Sequence, residues 1–228
     1  MKIYLSIIGK PDSEKALEVP FTTNSGINML ITAHVLFFIL YFAMRAVGLL
    51  DYPVLAGTIG DFVRDFLAIP GRTHTLHSGW ISGIFIHQFV HFDPFELLLS
   101  TSVLWFFGHI LQGLLGQRTV IMLYFVTVVL SATAFILSHY VFEIFSGHGT
   151  IMEGAFAGAL GVMTTTVIFF RSHQVRVFGK IYFALWQIYA VVLLISLLFL
   201  FKPSMAYALV YVSSIWIGGQ YAISRLSE

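Results

Sequence analysis

The chain has 228 residues, 58% of them hydrophobic and only 10% charged, with a formal net charge of +1 and a mean hydropathy of +0.88. A water-soluble domain carries about a quarter of its residues as charged side chains, so this composition excludes a soluble globule and defines an integral membrane protein. Balanced charge without acidic or basic blocks gives no footing for nucleic acid, and the absence of cysteine excludes disulfides, thiolate metal sites and a Cys nucleophile.

In chain order, residues 1–26 open with MKIYLSIIGKPDSEKALEVPF. The apolar stretch is too short, and too many charges follow it, for a cleavable signal peptide. It is expected to stay on as a short amphipathic or irregular cytoplasmic lead-in. An apolar helix needs roughly 20 residues to cross a bilayer, and six stretches meet that need: 27–49, 94–115, 119–142, 151–170, 178–201 and 204–224. Between the first two, residues 50–93 are too rich in Gly, Pro, His and Asp to span, but their apolar patches suit the membrane interface. With the N-terminus inside, Lys2, Lys10, Lys15, Arg118, Arg171, Arg176, Lys180 and Arg225 face the cytoplasm, against Arg45, Arg64, Arg72 and Lys202 outside. That bias places both termini in the cytoplasm, in keeping with an even number of spans. No repeat or linker divides the chain, so residues 27–228 read as one all-α, six-helix membrane domain.

Ionisable residues at membrane depth are costly and mark candidate sites. His87 and His91 are four apart and would share a face of a helix. Asp93 and Pro94 read as the N-cap and first position of the second span, which puts Glu96 in its first turn, where the helix dipole favours a carboxylate. Glu153 opens the fourth span, ahead of Gly154, Gly158 and Gly161, whose small-xxx-small spacing suits close helix approach. As a bland alternative it is a helix-N-terminal acid; otherwise it points at a neighbour or cavity. His109 and His34 read as neutral histidines bonded between helices, and His74 and His77 as solvated or interfacial.

The layout resembles the rhomboid superfamily of intramembrane serine proteases, from about Trp80 to Gly161 and more loosely through the sixth span. The segments that carry the likeness are WISGIFIHQFVH, LWFFGHILQGLLGQR with Gly108, Gln112 and Gly116, the opening TVIMLYFVTVV of the third span, and MEGAFAGALG. The resemblance implies a nucleophilic Ser on the fourth span, a His base on the sixth, and a His and an Asn near the second span stabilising an oxyanion. Here Glu153 stands at the Ser position, Glu96 at the oxyanion His, Ser100 at the Asn, and His91 on a His that the family often carries. The sixth span keeps the small residues Gly218 and Gly219, which with Gly108 and Gly116 are expected at helix contacts, but no histidine follows His173. A hydroxyl is a weak nucleophile until a base takes its proton, and an ionised Glu96 would repel a developing oxyanion.

The expectation is therefore a pseudoprotease that binds or handles other membrane proteins, with the bilayer and other transmembrane segments as partners, no cofactor, and a bacterial inner membrane as its location. Two enzymatic alternatives stand beside it. In one, His87, His91, Glu96 and Glu153 hold a divalent metal that activates water, or the two acids share a proton, although the spacing matches no known metal signature. In the other, a different serine, Ser100, Ser102 or Ser146, serves as nucleophile, with His148 as a possible base.

Overall fold

The computed structural model describes residues 2–7, 17–20, 25–51, 62–63, 67–70, 79–141, 151–177, 181–200 and 205–227. The sequence-predicted positions His74, His77, Ser146 and His148 lie outside them. Among the described residues, six helices of 14 residues or more form the bundle: α1 (Gly26–Asp51), α3 (Pro94–Leu115), α4 (Gln117–Val141), α5 (Phe156–Phe169), α6 (Leu185–Phe199) and α7 (Met205–Leu226). The short helix α2 (Gly79–Ile86) and a 3-10 turn, His87–Phe89, precede α3. Within this set Gly26–Ala46, Pro94–Leu115 and Gln117–His139 are long and apolar enough to cross a membrane, while α5 and α6 are apolar but shorter.

The bundle is built around α5. Its residues are apolar on every side, and a helix of that kind belongs in an interior; Phe156 through Thr166 are all buried. A Cβ placed on Gly158 would stand 2.7 Å from Val128, and one on Gly161 would stand 2.6 Å from Thr127 Cγ2, so α4 lies directly against α5. Gly218 of α7 packs on the Gly161 carbonyl from another side. Three consecutive threonines, pointing about 100° apart around the helix, then key α5 to three neighbours. Thr164 shares a hydrogen bond with the Tyr189 hydroxyl of α6 at 3.3 Å, Thr165 donates to Gly218 O of α7 at 2.9 Å, and Thr166 donates to Phe107 O of α3 at 3.2 Å. Buried polar groups in hydrocarbon need such partners.

The expected glycine contacts divide. Gly108 receives Ile27 of α1 closely, whereas Gly219 has only Ile168 at 3.8 Å. Among the described residues nothing stands within 4 Å of a Cβ placed on Gly116, which takes φ +79, so it terminates α3 rather than joining helices.

Two further readings of the sequence are corrected. First, the described parts of the lead-in, residues 2–7 and 17–20, are strands rather than irregular. Strands β1 (Lys2–Ile7) and β2 (Leu17–Pro20) join β5 (His173–Val177) and β6 (Ile181–Ala184) in an antiparallel sheet of order β2-β1-β5-β6. Leu5 is buried in the main core, so this segment closes one end of the bundle. Second, spans four and five are shorter than their apolar runs. Residues 151–152 form strand β4 (Ile151–Met152), and 173–177 and 181–184 belong to the sheet. Apolar continuity alone does not separate a helix from a buried strand, and the alternation of HQVRV and the β-branched and aromatic residues of IYFA favour the strand once a partner exists.

The interhelical histidines are in place. His34 Nε2 and the Tyr124 hydroxyl are 3.1 Å apart, linking α1 to α4. His109 Nδ1 donates to Trp105 O, and its Nε2 lies 3.2 Å from Ser25 Oγ, which accepts the Asn28 N–H at the start of α1.

Candidate functional site

At the end of the bundle opposite the sheet, the chain enters α5 through a tight turn held on both sides. Strand β4 pairs with β3 (Ile69–Pro70) of the long loop, Ile69 opposite Met152 and Pro70 opposite Ile151. Gly154 then turns at φ +84, a conformation costly for any residue with a Cβ. Its N–H donates to His87 O at 3.0 Å, and the next N–H, from Ala155, donates to His91 Nε2 at 3.2 Å. The Ala155 N–H is one of the donors that a helix N-terminus leaves open, and it and the Gly154 N–H before it are both occupied from the loop.

That role fixes the state of His91. Its Nε2 accepts, so Nδ1 carries the proton and faces Phe89 O at 3.3 Å. His87 Nδ1 donates to Gly83 O at 2.9 Å, with Ile84 O at 3.1 Å. Burial pulls the pKa of His87 down to about 4 against the opposing pull of the Gly83 and Ile84 carbonyls. Burial also brings His91 to about 4; the Phe89 carbonyl opposes the shift and neighbouring His87 adds to it. The two imidazoles do not share a helix face as expected, because the 3-10 turn ends at Phe89 and the backbone is extended at Val90.

The second wall is the start of α3, which follows the sequence reading. Asp93 Oδ1 accepts the Phe95 N–H at 2.8 Å and Pro94 occupies the first turn, so Glu96 falls in that turn too. The Glu96 carboxylate rests on Gly154, where a Cβ would overlap it. Gly154→Ala is accordingly expected to lower stability by about 1–3 kcal/mol and to displace Glu96, measured by thermal unfolding in detergent beside the Glu96→Gln variant.

The third wall comes from α7. Tyr207 donates its hydroxyl to Ile151 O, bracing β4, and Tyr211 donates to Ser196 O of α6 at 3.4 Å. Ser214 Oγ is 2.8 Å from Ser131 Oγ of α4. Glu96, Glu153, Phe156, Tyr207, Tyr211 and Ser214 line a cavity of about 30 Å³, room for one or two waters. Its described lining contains two carboxylates and no imidazole, lysine or arginine.

The sequence-predicted residues therefore separate into two groups. Glu96 and Glu153 meet at the cavity, with Glu153 in the turn before α5 rather than within the helix. His87 and His91 brace the turn from the loop side. Ser100 is buried on α3, its hydroxyl has no hydrogen-bond partner among the described residues, and it is not among the described residues lining the cavity. Among the described residues no three His, Asp or Glu side chains are grouped so as to hold a metal ion. Sequence reasoning passed over Tyr207, Tyr211 and Ser214, although their i, i+4, i+7 spacing is a helix-face signal.

A membrane helix bundle with a small, largely apolar cavity that two carboxylates line, at the junction of α3, α5 and α7, is the class defined by this fold and site. A family model, the Rhomboid domain, matches residues 78–219, from the approach to α2 through Gly219 of α7 and more than half of the chain. The chain belongs to the rhomboid family. No curated protein matches it.

Proposed function

We propose that this protein is a rhomboid pseudoprotease: a six-span membrane protein, both termini cytoplasmic, that binds other transmembrane segments without cutting them. The observation that carries the reading is the occupied turn at 153–155. The position corresponding to the family's serine is Glu153. The two N–H groups after it are engaged by His87 O and His91 Nε2, and the Glu96 carboxylate lies over Gly154. An oxyanion needs open donors aimed at it, and here it would meet filled ones and a carboxylate. In place of a base, α7 offers Tyr207, Tyr211 and Ser214.

Client binding is supported by how the end of α6 meets α3 and α7, with Leu200 just beyond it in the cavity wall. Across the gap to α3 and α7, it makes the Phe95–Phe199 ring contact at 5.4 Å and the Tyr211–Ser196 bond. A transmembrane segment entering between α3 and α6 would exchange these contacts for its own. Support for the orientation comes from the described, exposed arginines: Arg118, Arg171 and Arg225 lie at the sheet end, and Arg45 at the other. A bacterial inner membrane is the proposed location.

The expected result is no labelling of the purified protein by a fluorophosphonate and no cleavage of a transmembrane peptide, while a photo-crosslinker at Phe199 gives discrete membrane-protein adducts that one at Met122 does not. Serine-specific labelling, or equal crosslinking from both positions, overturns the proposal.

A second reading, a hydrolase using Glu96 and Glu153, draws on one observation: both carboxylates line a water-sized cavity. A divalent ion retained in proportion to protein and lost in Glu153→Ala would favour it.

A further inference from the structure

The sheet closes the end of the bundle where α1 and α4 begin and α3, α5 and α7 finish. Its register aligns Leu5 with Val175, and Val175 with Phe183. Residues opposite one another in a ladder project from the same face. Leu5 is 0% and Val175 3% exposed, both within the main core, so this face is turned toward the bundle. On the same face, however, Phe183 is 41% exposed, and Ile181, two residues earlier along β6, is 51% exposed. The bundle-facing side of the sheet thus runs past the bundle's rim at β6 and leaves an apolar underside there.

What lies beneath that overhang follows from its continuity with α6, which starts at the next residue. Trp186, in its first turn, is 52% exposed, and Val191, Leu194 and Leu198 carry the exposed apolar surface along the helix. In a membrane protein this surface faces lipid. Its 15 residues reach only about 22 Å, short of the roughly 30 Å hydrocarbon core, so the depth of this end is not set by helix length alone. The exposed Arg118, Arg171 and Arg225 ring the same end of the bundle and complement lipid phosphates.

We propose that the β6 overhang is a membrane-seating surface, with Ile181 and Phe183 resting in the headgroup–acyl boundary of the leaflet at the sheet end and holding the start of α6 at that depth. Its occupant is the lipid surface itself. An apolar face of this kind settles about 5–10 Å into the boundary. The inference does not depend on client binding or on the fate of the protease site.

The test uses the full chain in vesicles of phosphatidylcholine and phosphatidylglycerol. Phe183→Trp is introduced with Trp80, Trp105, Trp186 and Trp216 changed to Phe, and the acyl chains carry bromine either near the carbonyls or near the chain ends. The expected result is loss of about half the emission with shallow bromines and less with deep ones, as for a side chain in the boundary layer. A second protein keeps Phe183 and retains Trp186 as its sole tryptophan; Phe183→Asp should then reduce shallow quenching of Trp186. Water-like emission from position 183 without quenching overturns the proposal, as does equal quenching at both depths. Shielding of position 183 by a second copy of the chain, seen as quenching that appears only on dilution into excess lipid, also overturns it.

Discussion

Gly218→Ala should destabilise the bundle by about 3 kcal/mol, the upper part of the range for overpacking a filled core, while Gly219→Ala, one residue further, should be neutral or slightly stabilising. The added methyl at 218 has nowhere to go. It would meet the Gly161 carbonyl, which is backbone, and then Thr164 Cβ at 3.1 Å. Helices α5 and α7 would have to separate, and the Thr165 hydrogen bond to Gly218 O would go with them. At 219 the nearest atom is Ile168 Cδ1 at 3.8 Å, so the methyl finds ordinary contact, and replacing glycine in a helix gains about 0.5–1 kcal/mol. Thermal unfolding of the two variants in one detergent compares them directly. Equal effects would mean that α5 and α7 do not meet at this pair.

Acid should weaken the fold between about pH 6.5 and pH 4. His87 and His91 stay neutral in the folded protein down to about 4, whereas in the unfolded chain they take up protons near 6.5. The unfolded state therefore binds more protons throughout this interval. Stability is full above 6.5, falls as the pH drops, and levels off near 4. A shift of this size corresponds to at most about 3 kcal/mol for each residue. The structural consequence is specific for His91: once protonated, its Nε2 becomes a donor facing the Ala155 N–H, and the turn before α5 loses its brace. His91→Gln, which supplies a neutral acceptor, should keep most of the stability at pH 7.5 and remove about half of the acid loss. Chemical unfolding at a series of pH values reads both quantities. A wild-type profile flat from 7 to 4 would contradict the neutral, accepting His91.

The glycine pair and the histidine pair mark how much of this protein was legible in its sequence. Apolar runs locate the helices because hydrocarbon demands them. Asp93-Pro94 locates the start of α3, since capping is satisfied within a few residues of the chain. Gly158, Gly161 and Gly218 were likewise legible as close contacts, because only a missing side chain lets helix backbones approach so nearly. Gly116 and Gly219 carried the same letter for other reasons. Local sequence does not distinguish a glycine that ends a helix, or merely sits on one, from a glycine that packs.

Other features depended on distant parts of the chain. KIYLSI pairs with the nearby LEVP, but it joins the sheet that closes the bundle only through HQVRV, more than 160 residues away. Residues 151–155 left the fourth span because the long loop offered them β3, the carbonyl of His87 and the imidazole of His91. Tyr207, Tyr211 and Ser214 became cavity residues only when α7 was set against α5. By itself the sequence determined a membrane helix bundle of the rhomboid kind, with a carboxylate at residue 153 and no imidazole beyond His173, since composition, periodicity and residue chemistry are local properties. Tertiary structure decided which polar groups face one another, because a hydrogen bond or a shared cavity is a relation between segments that neither segment encodes alone.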